Sequence, residues 1–285
     1  PTATYRRPLT VSLPKGSSIF DMQYDFASDS WGPWLARVSR MAIPADAPYS
    51  SIIMPTQEMA RTKRVVRVLV DAGRHPLLVG QTGTGKTAMI AGSLLKELVA
   101  TGNYTTQPLQ FSAQTEAPKV QDIIIGKLRK RRQGVLAPPL GLKSVLFVDD
   151  LNMPEPEIYG AQPPVELLRQ WMDHGGWYDR VKGMPFKKVI DVQFVAAMAP
   201  PGGGRHDVTT RLTRHFNLLS VLPLDEDSMR AVFTTIMEHF FAEANMAVRS
   251  ALSGVVSATV KLYQTVTTDL LPTPAKSHYT FNLRD

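Results

Sequence analysis

The chain of 285 residues has no cysteine, which excludes a disulfide framework, a thiol nucleophile and a thiolate metal site. Histidine is scarce: the six are dispersed without ligand spacing, so a metal cluster is not expected. Aromatic residues make up 8%. No apolar run approaches the roughly 18 residues needed to span a bilayer. Nothing repeats internally, and the 22 prolines and 19 glycines are scattered, so collagen-like and low-complexity architectures are excluded. No G-x-S-x-G elbow is present. What remains is a globular composition, 44% hydrophobic and 20% charged, with enough length for a sizeable core. The net charge of +7 invites a polyanion, either nucleic acid or nucleotide phosphate. The chain opens on Pro1 without a signal-peptide pattern and stops at Asp285 after an unfinished stretch, so it reads as a segment of something longer.

Residues 1–50 carry prolines and aromatics with little periodicity and read as an ordered connector. A short helix is expected over Arg61–Ala72, closed by Gly73. Strands are then expected at Pro76–Val79, Leu109–Ser112, Ser144–Val148, within Val189–Met198 and at Asn217–Leu222. Helices are expected at Lys86–Ala100, Glu116–Arg132 and Val165–Met172. Such alternation argues for a parallel sheet covered on both faces. After Pro223 the pattern becomes purely helical, opened by an Asp225 N-cap, with apolar residues at three-to-four spacing from Met229 to Phe241 and again from Leu252 to Val266. The expected layout is a connector (1–50), a large α/β domain (51–222) and a small helical lid cut short at its end (223–285).

Gly80-Gln81-Thr82-Gly83-Thr84-Gly85-Lys86-Thr87 satisfies G-x-x-x-x-G-K-[ST] between an apolar strand and a helix. Glycines let the backbone curl so that N–H groups face phosphate oxygens, and the N-terminus of the helix expected over Lys86–Ala100, with Ala88 counted among the binding residues, adds a partial positive charge. Lys86 would reach the β- and γ-phosphates and the Thr87 hydroxyl would ligate Mg²⁺. Such a site needs an acid at the end of a buried strand. Val145-Leu146-Phe147-Val148-Asp149-Asp150 supplies two: Asp149 to hold the metal, Asp150 to orient or deprotonate the attacking water.

With these motifs in hand, the chain resembles an AAA+ ATPase module. More narrowly it resembles a dynein heavy chain of axonemal type, at the third module of the motor ring. The resemblance rests on Phe147-Val148-Asp149-Asp150-Leu151-Asn152-Met153-Pro154, Tyr159-Gly160-Ala161-Gln162-Pro163-Pro164, Gly175-Gly176-Trp177-Tyr178-Asp179, Met198-Ala199-Pro200-Pro201-Gly202-Gly203-Gly204-Arg205 and the end from Pro272 to Asp285. It implies that Ile53, Met54, Pro55 and Thr56 pack the adenine, and that Arg214, with Arg211 close behind, serves as an arginine finger toward a neighbouring module's nucleotide. It also implies that Arg284 is a second-sensor arginine. ATP or ADP with Mg²⁺ would be the ligands. The partners implied are neighbouring modules, microtubules through regions outside this segment, and intermediate and light chains, within cytoplasm, cytoskeleton and axoneme. Neither a nucleic acid nor a membrane is expected as a partner. Two departures from the family pattern point to slow turnover: Asp150 stands where a glutamate is usual, and Ala199 at the first-sensor position, often Asn, cannot hydrogen-bond.

Two alternatives accompany this reading. The module could hold nucleotide without hydrolysing it, or it could be a nucleic-acid-remodelling ATPase, motivated by the positive charge and by Lys127-Leu128-Arg129-Lys130-Arg131-Arg132. That basic run reads more simply as a solvated helix end, and no aromatic residue interrupts it. Gly202-Gly203-Gly204 reads as a tight turn leaving a strand, the alternative being a second anion cradle.

Overall fold

The computed structural model describes residues 11–16, 18–34, 52–202, 204–271, 273, 279 and 281–283. Two compact units emerge. One comprises Pro1–Arg61 with Glu226–Val260, the other Thr62–Asp225 with Lys261–Asp285.

In the first unit, strands β1 (Met22–Asp25) and β2 (Ser30–Pro33) form an antiparallel hairpin. The sequence showed no periodicity here because the hairpin is short and held by local polar contacts. Asp25 accepts from the Ala27 amide and the Ser28 hydroxyl, and Trp31 and Trp34 donate their indole N–H groups to the carbonyls of Val11 and Phe20. Helix α1 (Gln57–Asp71), of which Gln57–Arg61 belong to this unit and Thr62–Asp71 to the other, starts earlier than the periodicity suggested. Thr56 explains this: its hydroxyl accepts from the Met59 amide, an N-cap that precedes the apolar stripe. The helix closes at Gly73 as expected, with φ of 70°.

The second unit is built on five parallel strands: β3 (His75–Val79), β4 (Tyr104–Gln110), β7 (Lys143–Asp149), β10 (Val192–Met198) and β11 (Phe216–Ser220), in the spatial order β11-β3-β10-β7-β4. All seven residues of β10 are buried, as the central strand of a covered parallel sheet requires. Helices α2 (Leu95–Ala100), α3 (Ala117–Ile125) and α4 (Pro163–His174) contribute Leu98, Val120, Ile124, Val165 and Leu168 to the buried set. α2 continues a π-helical segment, Ala88–Leu94, in which the Leu95 amide reaches the Ile90 carbonyl.

The helix expected to run from Glu116 to Arg132 stops at Ile125. Arg129–Arg132 is instead a fully exposed strand, β5, so the basic run is not a helix end. It pairs with β6 (Val135–Ala137). β6 joins β9 (Phe186–Val189), and β9 joins β8 (Gly176–Tyr178), making a second sheet of order β5-β6-β9-β8. A helical α5 (Thr210–Thr213) precedes β11, and α6 (Glu226–Phe240) and α7 (Met246–Asp269) follow it. No described helix is long and apolar enough to cross a membrane.

Candidate functional site

The glycine-rich loop leaves the C-terminal end of β3, where Gly80 donates its amide to the Met198 carbonyl. Gly80 is required there: a Cβ would stand 2.4 Å from the Val221 carbonyl oxygen. Gly83 and Gly85 take φ of 85° and 78°, the left-handed region that bends the loop back on itself. Asn282 and Leu283 come against the loop at Gly83, within van der Waals reach of the position a Cβ would occupy. Gln81 and Thr82 are exposed at the tip.

Lys86 is buried at 9% exposure. Its Nζ donates to the carbonyls of Gly80 at 2.8 Å and Gln81 at 2.7 Å and to Thr84 Oγ1 at 3.2 Å. The ammonium is thus seated inside the curl of the loop. Thr87 Oγ1 donates to Asp149 Oδ2 at 2.6 Å, joining the loop to the end of β7 even though β10 lies between the two strands. Asp149 is 6% exposed, and burial is the main reason its carboxyl sits above the ordinary carboxylate range. The neighbouring Asp150 charge pushes the same way, while the Thr87 hydroxyl, the Asp150 amide and Lys86 pull it back. Thr87 Oγ1 and a carboxylate desolvated beside an acid neighbour form an oxygen donor pair suited to a hard divalent cation. Asp149 and Thr87 are the groups that would hold Mg²⁺.

Asp150 takes φ of 52°, uncommon for a residue with a side chain. The turn redirects its carboxylate, whose Oδ2 accepts from Gln110 Nε2 at 2.8 Å. Gln110 ends β4 directly opposite Asp149 in register. It was not singled out from sequence; its one signal is a polar side chain directly after the buried Leu109. Asn152 was likewise missed as a functional position. It is fully buried, gives Nδ2 to the Ala199 carbonyl at 2.8 Å, and accepts the His206 amide on its own carbonyl. The exit of β7 is therefore stitched to the exit of β10 at the position where Ala199, 6% exposed, offers no polar side chain.

Ile53, Met54 and Pro55 are half-buried and Thr56 is buried; these residues belong to the first unit and lead into α1. Arg211 lies exposed on α5, and Arg214 caps that helix. Arg214 Nη2 donates to Asp173 Oδ1 at 2.6 Å, which also meets His215 Nε2 at 2.7 Å, while Arg169 reaches Asp173 Oδ2 at 2.8 Å. The Asp173 carboxyl is pulled down to about 2, chiefly by the hydrogen bond from Arg214 and then by that from His215. Among the described residues neither Arg211 nor Arg214 bonds the phosphate loop. Arg284, assigned to the second sensor, lies outside the described residues. Gly202 and Arg205 exchange both backbone hydrogen bonds, the tight turn expected after the strand. No cluster of three or more histidine, cysteine or acidic side chains that could hold a metal ion occurs among the described residues.

Residues 41–224 match the family described as the P-loop containing dynein motor region. The chain belongs to that family. It is 46% identical to human dynein axonemal heavy chain 1 over 97% of its length and 42% identical to human dynein axonemal heavy chain 3 over 98%. It is 39% identical over 99% to the dynein-1-beta heavy chain of the flagellar inner arm I1 complex from Chlamydomonas reinhardtii. The chain spans only 7%, 7% and 6% of the lengths of these relatives. The five-stranded parallel sheet, with its glycine-rich loop at the C-terminal end of β3, is the α/β AAA+ fold of a dynein motor module, and its family is a nucleotide-binding one.

Proposed function

We propose that this dynein module binds ATP and hydrolyses it slowly, gating a ring of AAA+ modules in an axonemal heavy chain. The observation that carries the reading is the 2.6 Å contact of Thr87 with Asp149 beside the buried Lys86 ammonium. Lys86 would neutralise the β- and γ-phosphates, and the amides of Gly80–Thr87 would cradle them, with Ala88 opening the helix behind. Thr87 and Asp149 would hold Mg²⁺, which when bound would supply electrostatic stabilisation of the phosphate charge. Asp150 would accept the proton of the attacking water, in line with the γ-phosphate. Ile53–Thr56 would pack the base, and Arg284 would meet the γ-phosphate from the same module. Arg214 or Arg211 would reach a neighbouring module's nucleotide, the planar fork suiting spread phosphate charge.

We place the module third in the ring, joined to its predecessor by residues 1–50, with residues 51–222 as the large domain and residues 223–285 as the start of the lid. Microtubules would be engaged by regions outside this segment and light and intermediate chains by the whole heavy chain, in the cilium or flagellum.

A second reading, a module that holds nucleotide without turning it over, is favoured by the Asp150 carboxylate already accepting from Gln110 and by the apolar Ala199. Single-turnover ATP hydrolysis by the intact ring, wild type against Lys86→Ala, decides between them. Slow hydrolysis lost in the variant supports the first reading. Bound but uncleaved nucleotide in the wild type supports the second. Unchanged ring activity and motility in the variant would refute both as regulation.

A further inference from the structure

The second sheet has a face that carries none of the residues assigned to nucleotide binding. Residues opposite one another in a sheet share a face. Arg132 faces Val135, Val135 faces Lys188, and Lys188 faces Gly176. Two residues along β9, Phe186 faces Tyr178, and the two rings meet edge-on at 5.4 Å. Arg129, opposite Ala137, falls on the same face. The reverse face carries Trp177 and Val189, both buried, so it turns toward the core. The first face is open only in part: Val135, Ala137 and Gly176 on it are buried, while Tyr178 at 56% and Phe186 at 40% exposure stand open with the exposed cations Arg129, Arg132 and Lys188.

Several cations around this face are ion-paired, though Lys130 on the reverse face is, like the cations of this face, without an ion pair among the described residues. Lys187 pairs with Asp179, Arg180 with Asp122 and Arg131 with Asp191. Among the described residues, Arg129, Arg132 and Lys188 form no ion pair. Cations on an edge strand protect it from unwanted pairing, which would account for β5 alone. Lys188 is on β9, flanked on both sides by strands, where no edge needs protection. Nor does edge protection explain two exposed aromatic rings on the same face.

We propose that the open part of this face docks an acidic polypeptide segment that also carries apolar side chains. The carboxylates would meet Arg129, Arg132 and Lys188, and the apolar side chains would cover the Tyr178–Phe186 pair. The ring geometry favours polypeptide over single-stranded nucleic acid. Bases stack on free ring faces, whereas here the rings stand at 76° to one another and the tip of Phe186 lies over Gly176, 2.9 Å from where a Cβ would be.

The test titrates the whole chain with fluorescein-labelled probes, read by anisotropy. The probes are a short peptide alternating Glu and Leu, a Glu-only peptide, a Lys–Leu peptide and oligothymidylate. The variants are Arg129→Glu with Arg132→Glu, and Tyr178→Ser with Phe186→Ser; all four positions are exposed, and unchanged melting temperatures check that each variant folds. The Glu–Leu peptide binds the wild type tightest, and each variant pair weakens it roughly tenfold, the contribution expected of a few contact residues. The proposal is overturned if the Glu-only peptide binds as well as the Glu–Leu peptide, if oligothymidylate binds more tightly, if the variants leave the Glu–Leu affinity unchanged, or if no peptide binds.

Discussion

Asp149 and Asp173 show how one side chain is driven in opposite directions by its surroundings. Burial and the Asp150 charge raise Asp149, so its folded carboxyl prefers the proton more than an unfolded one does. Its contribution to stability is greatest below the unfolded value near 3.8 and falls as pH rises through the higher folded value. Asp149→Asn is therefore expected to raise the neutral-pH denaturation midpoint while weakening Mg²⁺-dependent nucleotide binding, checked by urea unfolding and by calorimetry with and without the metal. Asp173, pulled to about 2 by Arg214 and His215, stabilises the fold above 3.8, and that contribution fades as pH falls toward 2. Asp173→Asn is expected to flatten the acid limb of the stability curve between those values. Asn152 provides a third case at this scale. It is fully buried with Oδ1 unpartnered, and its Nδ2 serves the Ala199 carbonyl. Asn152→Ala should cost about 1–3 kcal/mol by stranding that carbonyl. Asn152→Asp should cost more, since it buries a charge facing another acceptor, and denaturant midpoints at neutral pH would order the two.

Among the elements, Gly80 carries the sharpest prediction. A methyl group there meets backbone at 2.4 Å rather than a side chain able to move aside, so β11 and β3 must separate. Gly80→Ala is expected to destabilise by about 2 kcal/mol or more, measured by thermal unfolding. Of the main-sheet strands, β3, β7 and β10 were legible in the sequence because buried strands are short apolar runs set between helices, and Val145–Asp150 announced both a strand and its acids. Four limits of that legibility have physical causes. β4 begins at Tyr104, five residues before Leu109, because Tyr104–Gln107 is polar and draws its extended form from pairing with β7. The Glu116–Arg132 helix was overrun because arginine and lysine are good helix formers, and pairing with β6 overrode that propensity. The small second sheet escaped because its strands are three or four residues long, below any useful period. Gln110 and Asn152 escaped because nothing in a single polar side chain reveals which neighbouring strand end it will reach.

For the molecule as a whole, binding to the folded chain alone should appear as added stability. Mg²⁺ with ATP at a hundred times the dissociation constant is expected to add about 2.7 kcal/mol, and Lys86→Ala to erase the shift; differential scanning fluorimetry reads both. The loop, the acid pair and the helix–strand alternation were legible together because phosphate binding demands a glycine curl and an acidic strand end in one layer. The placement of β10 between β3 and β7 has a further consequence. Strand spacing in a sheet is set by backbone hydrogen bonds at about 4.8 Å, so two such steps fix the gauge between the cradle and the carboxylates. Side-chain repacking in the layer leaves that gauge unchanged. On the proposed reading, in which Asp150 receives the proton of the attacking water, this fixed gauge leaves the shorter aspartate side chain without compensation from the scaffold.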